Sequence, residues 1–380
     1  MQIAISKTAL ITALKRVVPV ADERSPMSIL ANVMIDADQE KGTLTLSTTN
    51  LELSTQVTLT PKYIQYDSCF CVSAKNLLDR VSAMPEGDIV LDYSGSGLEL
   101  KSSASKRNYK MPTMPGIEFP KIPQPNDACE SSTFPAKTLL SLFSRTMYAM
   151  SLDNDRPALS SIQWVTNGDT SQMVATDGHR LVLQEVSLEQ KIEQKAGKRT
   201  LLLPAASCNI IRKLAAEAEI VAGSITVMSS KKEDSPIFFK FNSIVVSSKL
   251  TNAQFPSYEQ VIPKKRDFAI ATPRASLIDA IRSVNLSRPS KTILQVSKDD
   301  STIKVYSDDS DSGYAEDVVS CAFLGEDKKD LTIGINGKYF IDALSVIDAI
   351  DAELSFGDEL SPIRLTTGDG HVAVVMPVRI

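Results

Sequence analysis

Two kinds of hydrophobic pattern alternate along this chain of 380 residues. In some segments apolar residues recur at every second position, which is typical of half-buried β-strands. In others they recur every three to four positions, the spacing of an amphipathic helix. The period-two segments lie at residues 44–57, 89–100, 162–174, 225–246, 293–305 and 372–376. Turn sequences such as Asp177-Gly178 lie between such segments and favour hairpins, so the pattern predicts antiparallel sheets with helices covering one face.

The helical segments recur in a way that indicates three related domains. A short apolar strand gives way to a helix with a basic residue at its start near Lys7, Lys137 and Arg274, which lie about 130 residues apart, the length of a small domain. A second strand and helix follow in each repeat, at residues 73–78, 204–213 and 336–341. We therefore predict an α+β fold of three tandem similar domains, each with two helices packed on antiparallel sheets.

Proline-containing segments mark the predicted domain boundaries. Prolines cluster between residues 112 and 125, and residues 255–263 end the second repeat with a similar aromatic-proline and aliphatic-proline pair. Proline cannot continue a central strand or a helix interior, so these segments favour linkers. The predicted domains are residues 1–126, 127–262 and 263–380.

The composition is that of a globular protein, with 43% hydrophobic and 23% charged residues. No apolar run approaches the ~20 residues that a membrane-spanning helix needs. The chain enters a strand directly after Met1, without the basic, apolar and small-residue regions of a signal peptide. We therefore expect a cytoplasmic protein.

Positive charge is concentrated on equivalent helices of a chain that is acidic overall, with 46 carboxylates against 41 basic residues. The first helix of each repeat carries mostly basic residues: Lys7, Lys15 and Arg16; Lys137 and Arg145; Arg274, Arg282 and Arg288 with a single Asp279. A single such helix is an ordinary solvated face. Three equivalent helices with the same bias indicate a surface that contacts phosphates without reading bases, if the helices share one side.

Metal and catalytic motifs receive little support from the sequence. The five cysteines are scattered and the two histidines, His179 and His371, lie in different repeats, so we expect no metal site and free thiols. The densest polar cluster is at residues 175–181 (Ala-Thr-Asp-Gly-His-Arg-Leu). Three hypotheses fit it: a tight turn with local hydrogen bonds, a binding surface, or acid–base catalysis with His179 as proton shuttle and Asp177 orienting it.

The repeated strand–helix pattern, residues 175–181, the segment Phe255-Pro256-Ser257-Tyr258 and residues 374–380 together strongly resemble the bacterial DNA polymerase III beta subunit, the family of DNA sliding clamps. Arg24 with residues 29–32, and residues 49–52 and 331–336, add matches, and the resemblance covers essentially the whole chain. It implies a head-to-tail homodimer closed into a ring around duplex DNA, with helices lining the hole and sheets outside. A ring of this kind is a processivity factor without catalysis or cofactors.

The resemblance also implies a set of protein partners. These are the replicative and translesion DNA polymerases, the clamp loader, and mismatch-repair and ligase-type proteins, which present short hydrophobic motifs to a pocket between the second and third domains. On the residues alone, the favoured interpretation of Met376-Pro377 is a capped final strand. The pocket residues that the resemblance implies are Leu159, Thr176, Gly178, His179, Arg180, Leu181, Pro256, Val261, Asn336, Tyr339, Pro362, Val374, Met376, Pro377, Val378 and Arg379.

DNA contacts are implied for Arg24 by direct positional match, and for other basic residues by charge and helix placement. Arg156 is a further candidate. The helix candidates are Lys7, Lys15, Lys75, Arg80, Lys137, Arg212, Lys213, Arg282 and Lys338.

The chain departs from the family pattern at a few positions. Gln260 stands where some relatives carry arginine at the pocket rim, Pro157-Ala158 replaces an aromatic pair that touches DNA in some relatives, and Asn50 replaces an aspartate. Two alternatives to a clamp stay open at this point. One is a hydrolase using Asp177 and His179, and the other is a repeat scaffold that binds proteins but not DNA.

Overall fold

The computed structural model describes residues 1–168, 170–187, 199–230, 232, 234–264, 266–285, 291–309 and 313–380. Arg288, counted above among the basic residues near the third repeat's first helix, lies outside the described residues. The helices within the described residues are α1 Lys7–Val17, α2 Ala74–Ala83, α3 Ala136–Thr146, α4 Ala205–Ile220, α5 Arg274–Val284 and α6 Gly337–Ser345.

The strands follow in chain order, and every pairing between them is antiparallel, as the period-two segments predict. The first group is β1 Gln2–Ser6, β2 Asn32–Asp38, β3 Thr43–Thr49, β4 Leu53–Leu59, β5 Tyr63–Ile64, β6 Ser68–Ser73, β7 Asp88–Tyr93, β8 Leu98–Ser102, β9 Asn108–Met111 and β10 Met114–Pro115. The second is β11 Glu130–Pro135, β12 Ser161–Asn167, β13 Thr170–Thr176, β14 Arg180–Ser187, β15 Arg199–Pro204, β16 Ser224–Ser229, β17 Ile237–Phe241 and β18 Ile244–Ser248. The third is β19 Phe268–Pro273, β20 Thr292–Ser297, β21 Thr302–Asp309, β22 Gly313–Ser320, β23 Ala322–Phe323, β24 Leu331–Ile335, β25 Asp351–Phe356, β26 Ile363–Thr367, β27 His371–Val375 and β28 Pro377–Val378.

One compact unit consists of Met1–Pro135 and Glu217–Leu250. Its described strands form two sheets, ordered β5-β1-β7-β8-β9 and β10-β6-β2-β3-β4-β18-β17-β16-β11. Helix α1 begins where the Ser6 hydroxyl accepts a hydrogen bond from the Ala9 amide at 3.3 Å, which satisfies one of the free amides of the first turn. Leu10 and Leu14 of α1 and Leu77 of α2 are fully buried, so the apolar stripes of both helices lie in the core of this unit.

The other unit consists of Ala136–Ala216 and Thr251–Ile380. Its described strands form sheets ordered β15-β12-β13-β14-β27-β26-β25-β19-β23 and β22-β21-β20-β24-β28. Helix α3 packs on β13 and β14, and α5 packs on α6 and on β21 and β22. The pairing of β14 with β27 sets Leu181 opposite Val374 and Leu183 opposite Val372. Two segments that are far apart in sequence therefore become neighbours in one sheet.

The strand–helix–strands order recurs three times, as predicted, with α1 and α2, α3 and α4, and α5 and α6 as the successive pairs. The chain nevertheless forms two compact units rather than three, because sheets run across the predicted boundaries. Strand β18 pairs with β4 across residues 126/127, and β27 pairs with β14 across residues 262/263. The boundaries at those residues stay predictions.

A buried polar network lies beside the paired strands β14 and β27. Gln184, which is 1% exposed, accepts a hydrogen bond from His371 Nδ1 at 3.0 Å and donates through Nε2 to the Asp369 carbonyl at 3.0 Å. The Arg145 guanidinium binds the Asp369 carboxylate and reaches Asp348 Oδ2 at 2.5 Å. Arg145, counted above among the cations of a basic helix, is therefore neutralised within the fold.

His371 is held in the neutral state by this environment. It is 1% exposed, and burial, followed by the nearby Arg145 charge, lowers the pKa of the imidazole to about 4. Because Nδ1 donates to Gln184, the proton that would charge the ring must bind at Nε2. That atom is buried and, within the part of the chain that the structure describes, has no hydrogen-bond partner, so protonation places an unsolvated charge in the core.

Close packing at the end of the chain gives one test of the fold. A Cβ added at Gly334 would lie 2.5 Å from the Val378 carbonyl oxygen and 3.2 Å from Val378 Cγ2. Gly334→Ala should therefore separate β28 from β24 and lower the free energy of unfolding by about 1–3 kcal/mol, the usual cost of overpacking. The measurement is urea unfolding followed by circular dichroism. Gly368→Ala, where a Cβ meets nothing within 4 Å, is the control, and equal midpoints for the two variants would contradict this packing.

The buried imidazole predicts a pH dependence of stability. The pKa of His371 lies at about 4 in the folded protein and near 6.5 when unfolded, so its contribution is complete above pH 6.5 and is lost as the pH falls towards 4. The loss is about 3 kcal/mol at most. Urea midpoints at pH 7, 5.5 and 4.5 should converge between wild type and His371→Gln as the pH falls. His179→Gln, at an exposed position, should show the same dependence of the urea midpoint on pH as the wild type. If His371→Gln also showed the wild-type dependence, the His371 imidazole would not be its cause.

Candidate binding site

The hairpin between β13 and β14 is shaped by the polar cluster that the sequence singled out. Asp177 Oδ1 accepts the backbone amides of His179 at 2.9 Å and Arg180 at 3.0 Å. The Thr176 hydroxyl donates to the Arg180 carbonyl at 2.7 Å and accepts the Gly178 amide at 3.1 Å. Gly178 has φ +92°, a conformation that favours glycine. The hypothesis of a tight turn with local hydrogen bonds is thus correct for Asp177.

Arg180 is fixed by charge and by aromatic rings. Its Nε donates to Asp177 Oδ2 at 3.0 Å and its Nη1 to Asp342 Oδ2 at 2.6 Å, and the side chain is 10% exposed. The guanidinium carbon lies 4.3 Å from the Tyr339 ring centroid and 5.4 Å from that of Tyr148, within cation–π range. Burial raises the pKa of Tyr148. Arg180 therefore joins the turn to helix α6 rather than presenting a free guanidinium.

These contacts bear on the hydrolase hypothesis. Both carboxylate oxygens of Asp177 are engaged, one by two backbone amides and one by Arg180. The exposed His179 ring instead stacks on Tyr339, with ring centroids 6.3 Å apart. An orienting carboxylate must hydrogen-bond the imidazole of a proton shuttle, and Asp177 is already committed elsewhere, so the geometry does not support this pair as an acid–base site.

An apolar cavity of about 180 Å³ lies beside this turn. Leu181 and Val374 belong to the buried cluster at its base, together with Phe255 and Tyr258. Val261 is 40% exposed at its wall, and the amide of half-buried Met376 donates to the His179 carbonyl at 2.9 Å. Predicted pocket residues make up most of the lining, which consists of Leu159, Thr176, Gly178, Arg180, Leu181, Pro256, Tyr258, Val261, Val374 and Met376.

Tyr258 is the lining residue that the sequence-based prediction missed. Its ring is 8% exposed, and its hydroxyl donates to Gln172 Oε1 at 3.3 Å. Burial raises the pKa of this phenol. A signal was present, because Tyr258 belongs to a motif that carried the family resemblance and lies between two predicted pocket residues.

The other predicted pocket residues lie around the cavity rather than in its lining. Asn336 caps α6 by accepting the Tyr339 amide at 3.2 Å, which places Tyr339 beneath Arg180. Pro377 and Val378 form β28 against β24. His179 and Arg379 are exposed, and Pro362 lines a neighbouring cleft. Gln260, the departure at the rim, lines that same cleft.

The predicted DNA-contacting residues differ in how free their charges are. Lys7 is buried, and its Nζ binds Glu86 Oε1 at 3.0 Å, so the structure does not support Lys7 as a DNA contact. Arg16, which also counted towards the charge bias, binds Glu217 Oε2 at 2.7 Å. Lys15, Arg24, Lys75, Lys137, Lys213, Arg282, Lys338 and Arg156 are exposed, while Arg80 and Arg212 are half-buried. Of the exposed residues, Lys75, Arg156 and Arg282 make surface ion pairs with Glu23, Asp153 and Asp279.

The described residues hold no group of three or more histidine, cysteine or acidic side chains that could bind a metal ion. All five cysteines are free thiols, as expected. Burial raises the pKa of the Cys71 thiol to about 12, which makes it unreactive at neutral pH. Among the described residues, no helix is long and apolar enough to cross a membrane.

Comparisons with known proteins agree with this architecture over the whole chain. Models of the DNA polymerase III beta subunit match in three consecutive parts: its N-terminal domain at residues 1–123, its central domain at 133–257 and its C-terminal domain at 259–379. The beta sliding clamp of Pseudomonas aeruginosa is 26% identical over 391 residues, and that of Caulobacter vibrioides 26% over 394, each covering all of both chains.

Solved structures give the same result. The sliding clamp of Bartonella birtlesii bound to griselimycin is 26% identical with a TM-score of 0.89, and the DNA polymerase III subunit beta of Pseudomonas aeruginosa is 24% identical with a TM-score of 0.89; both cover all of both chains. The three consecutive matches account for nearly every residue of the chain. The chain therefore belongs to the DNA polymerase III beta-subunit family.

Proposed function

We propose that this protein is a non-catalytic DNA sliding clamp that encircles duplex DNA and tethers replication proteins. The observation that carries the proposal is the full-length match to all three domains of the beta subunit, together with an apolar cavity lined by residues of its second and third parts. Topology rather than affinity would then retain the protein on DNA. This accounts for an acidic chain, with formal net charge −5, that works on a polyanion.

Ring closure would come from a second copy of the chain, arranged head to tail. Strands β9 and β22 are edge strands of their sheets, and unpaired edges invite another strand. Strand β22 exposes Tyr314 at 54% and Val318 at 56%. Its exposed Glu316 and Asp317 are acidic, whereas Lys110 on β9 is basic and exposed. Pairing β9 of one protomer with β22 of its partner would bring these charges together and cover the apolar side chains.

Contact with DNA would be made by exposed and half-buried cations of the helices and one early loop. The proposed set omits Lys7 and consists of Lys15, Arg24, Lys75, Arg80, Lys137, Arg212, Lys213, Arg282 and Lys338, with Arg156 as a further candidate. Long side chains on helix surfaces bind phosphates without reading sequence. A few such contacts suit a clamp that slides.

The apolar cavity would receive hydrophobic motifs of the partner proteins. We propose that the clamp loader, replicative and translesion polymerases, and mismatch-repair and ligase-type proteins compete for it in the cytoplasm, at the nucleoid during replication. The cavity offers aliphatic walls and the polarizable Met376, which can adapt to several ligands. Seating apolar side chains in a hydrophobic groove is a recurring mode of peptide recognition.

Retention on DNA tests the clamp proposal. The protein, loaded by the organism's clamp loader with ATP onto nicked plasmid, should remain on circles and be lost once the plasmid is linearised, because ends release a ring. Equal loss from both forms would leave a scaffold that does not encircle DNA.

Lys15→Glu with Lys137→Glu should reduce loading about threefold or more at 0.15 M salt. The matched variant Lys121→Glu with Lys291→Glu changes exposed lysines outside the proposed set and should load normally.

Griselimycin, which is bound in the Bartonella birtlesii clamp structure, tests the cavity. We expect it to bind this protein, and Val261→Glu to weaken binding at least tenfold because the ligand would bury a carboxylate. Isothermal titration calorimetry measures both. A point variant is preferred to removal of the C-terminus, because truncation would also remove β28. Ile350→Glu, at a position that is 87% exposed, is the control, and equal weakening in both variants would argue against the cavity.

A further inference from the structure

A second cleft adjoins the apolar cavity and differs from it in chemistry. It has a volume of about 550 Å³, and its lining includes Lys264, Arg266 and Arg364. We call it the basic annex. Val261 and Met376 line both the annex and the apolar cavity. The annex and the apolar cavity are therefore adjacent.

The cations of the annex are incompletely neutralised. Arg266 Nη1 donates to Glu353 Oε1 at 3.1 Å and to Ser355 Oγ at 3.4 Å. No described carboxylate lies within ion-pair distance of Lys264 or Arg364, and none lines the annex. The Nε of Arg364 is buried and has no hydrogen-bond partner among the described residues. The annex therefore has spare positive charge and unmet donor capacity, which favour an anionic occupant.

The walls of the annex are preformed. Phe356 is 1% exposed and stacks on Phe268 with ring centroids 5.2 Å apart, which fixes the floor. At the rim, Asp358 Oδ1 accepts the Leu360 amide at 3.1 Å and the Ser361 hydroxyl at 2.6 Å. The nearby carboxylate of Asp358 is thus engaged by its own loop. A rigid cleft loses little entropy when a ligand binds.

We propose that the basic annex binds acidic residues that flank the hydrophobic segment of a partner peptide held in the apolar cavity. The inference rests on the proposed function, because it needs a partner peptide in that cavity. A peptide is favoured over nucleic acid since the annex adjoins an apolar cavity that would anchor a hydrophobic side chain. Acidic flanks would then rank partners that share similar hydrophobic residues.

Three fluorescein-labelled peptides test the proposal by anisotropy with the full-length protein. The first joins a Leu-Leu-Phe core to an Asp-Glu-Asp tail, the second joins the same core to Asn-Gln-Asn, and the third joins a Ser-Ser-Ser core to Asp-Glu-Asp. Each is made with the tail at either end. With the tail at one end of the core or the other, the acidic tail should bind about tenfold more tightly than the amide tail in 50 mM NaCl. The gain should shrink to about threefold or less in 300 mM NaCl.

The cationic residues are tested by matched double variants. Lys264→Gln/Arg364→Gln should lose the gain from the acidic tail. Lys264→Gln alone, at an exposed position, should reduce the gain, and it provides the test if the double variant folds poorly. Lys291→Gln/Lys328→Gln removes the same charge from exposed positions elsewhere and should keep the gain. No gain from the acidic tail, an equal loss in both double variants, or competition by oligothymidylate as strong as that by the acidic peptide would overturn the proposal.

The same measurements separate the annex from the cavity. Binding of griselimycin and of the amide-tailed peptide without a gain from the acidic tail would overturn the annex and leave the proposed function standing. Failure of griselimycin and of all three peptides would overturn both. Binding of the Ser-Ser-Ser peptide as tight as that of the first peptide would also overturn the proposal, because the annex would then act without the cavity.

Discussion

The antiparallel pairing of β14 with β27 is the interaction on which the binding site depends. It sets Leu181 opposite Val374, and so joins a hairpin from the family's central domain to one from its C-terminal domain. Neither hairpin alone encloses the apolar cavity, since its lining comes from both. Register is decisive here, because a slip of one residue would turn Leu181 and Val374 away from the face they now share.

Polar contacts lie near both ends of the β14–β27 pairing. Near one end, Arg180 binds Asp177 of its own turn and Asp342 of α6. Near the other end, Arg145 of α3 reaches Asp348 and Asp369. The guanidinium side chains of Arg180 and Arg145 are only 10% and 13% exposed. Ion pairs of buried cations add little net stability over apolar packing, but losing the partner leaves an uncompensated charge. They therefore act chiefly to specify which segments meet.

Local features of the fold were predictable from the sequence, and long-range ones were not. Alternating apolar residues and Asp-Gly turns indicated the strands and hairpins, because both depend on neighbouring residues. The pairing of Lys7 with Glu86 spans 79 positions, and that of Arg145 with Asp369 spans 224, so no local pattern revealed that these cations are neutralised. The pocket residues came from the family resemblance, and Tyr258 was missed because an aromatic residue in a linker fits equally well as core.

Neutralisation of these cations changes what the charge pattern means. The sequence suggested that the first helix of each repeat presents a net positive surface, but Lys7, Arg16 and Arg145 are ion-paired in the structure. Each phosphate contact adds to the salt dependence and to the free energy of binding. A ring that is held by topology needs only weak attraction, and strong attraction would slow its movement along DNA. In the proposed clamp, internal pairing of these cations would keep the contact with DNA weak while the paired side chains serve the fold.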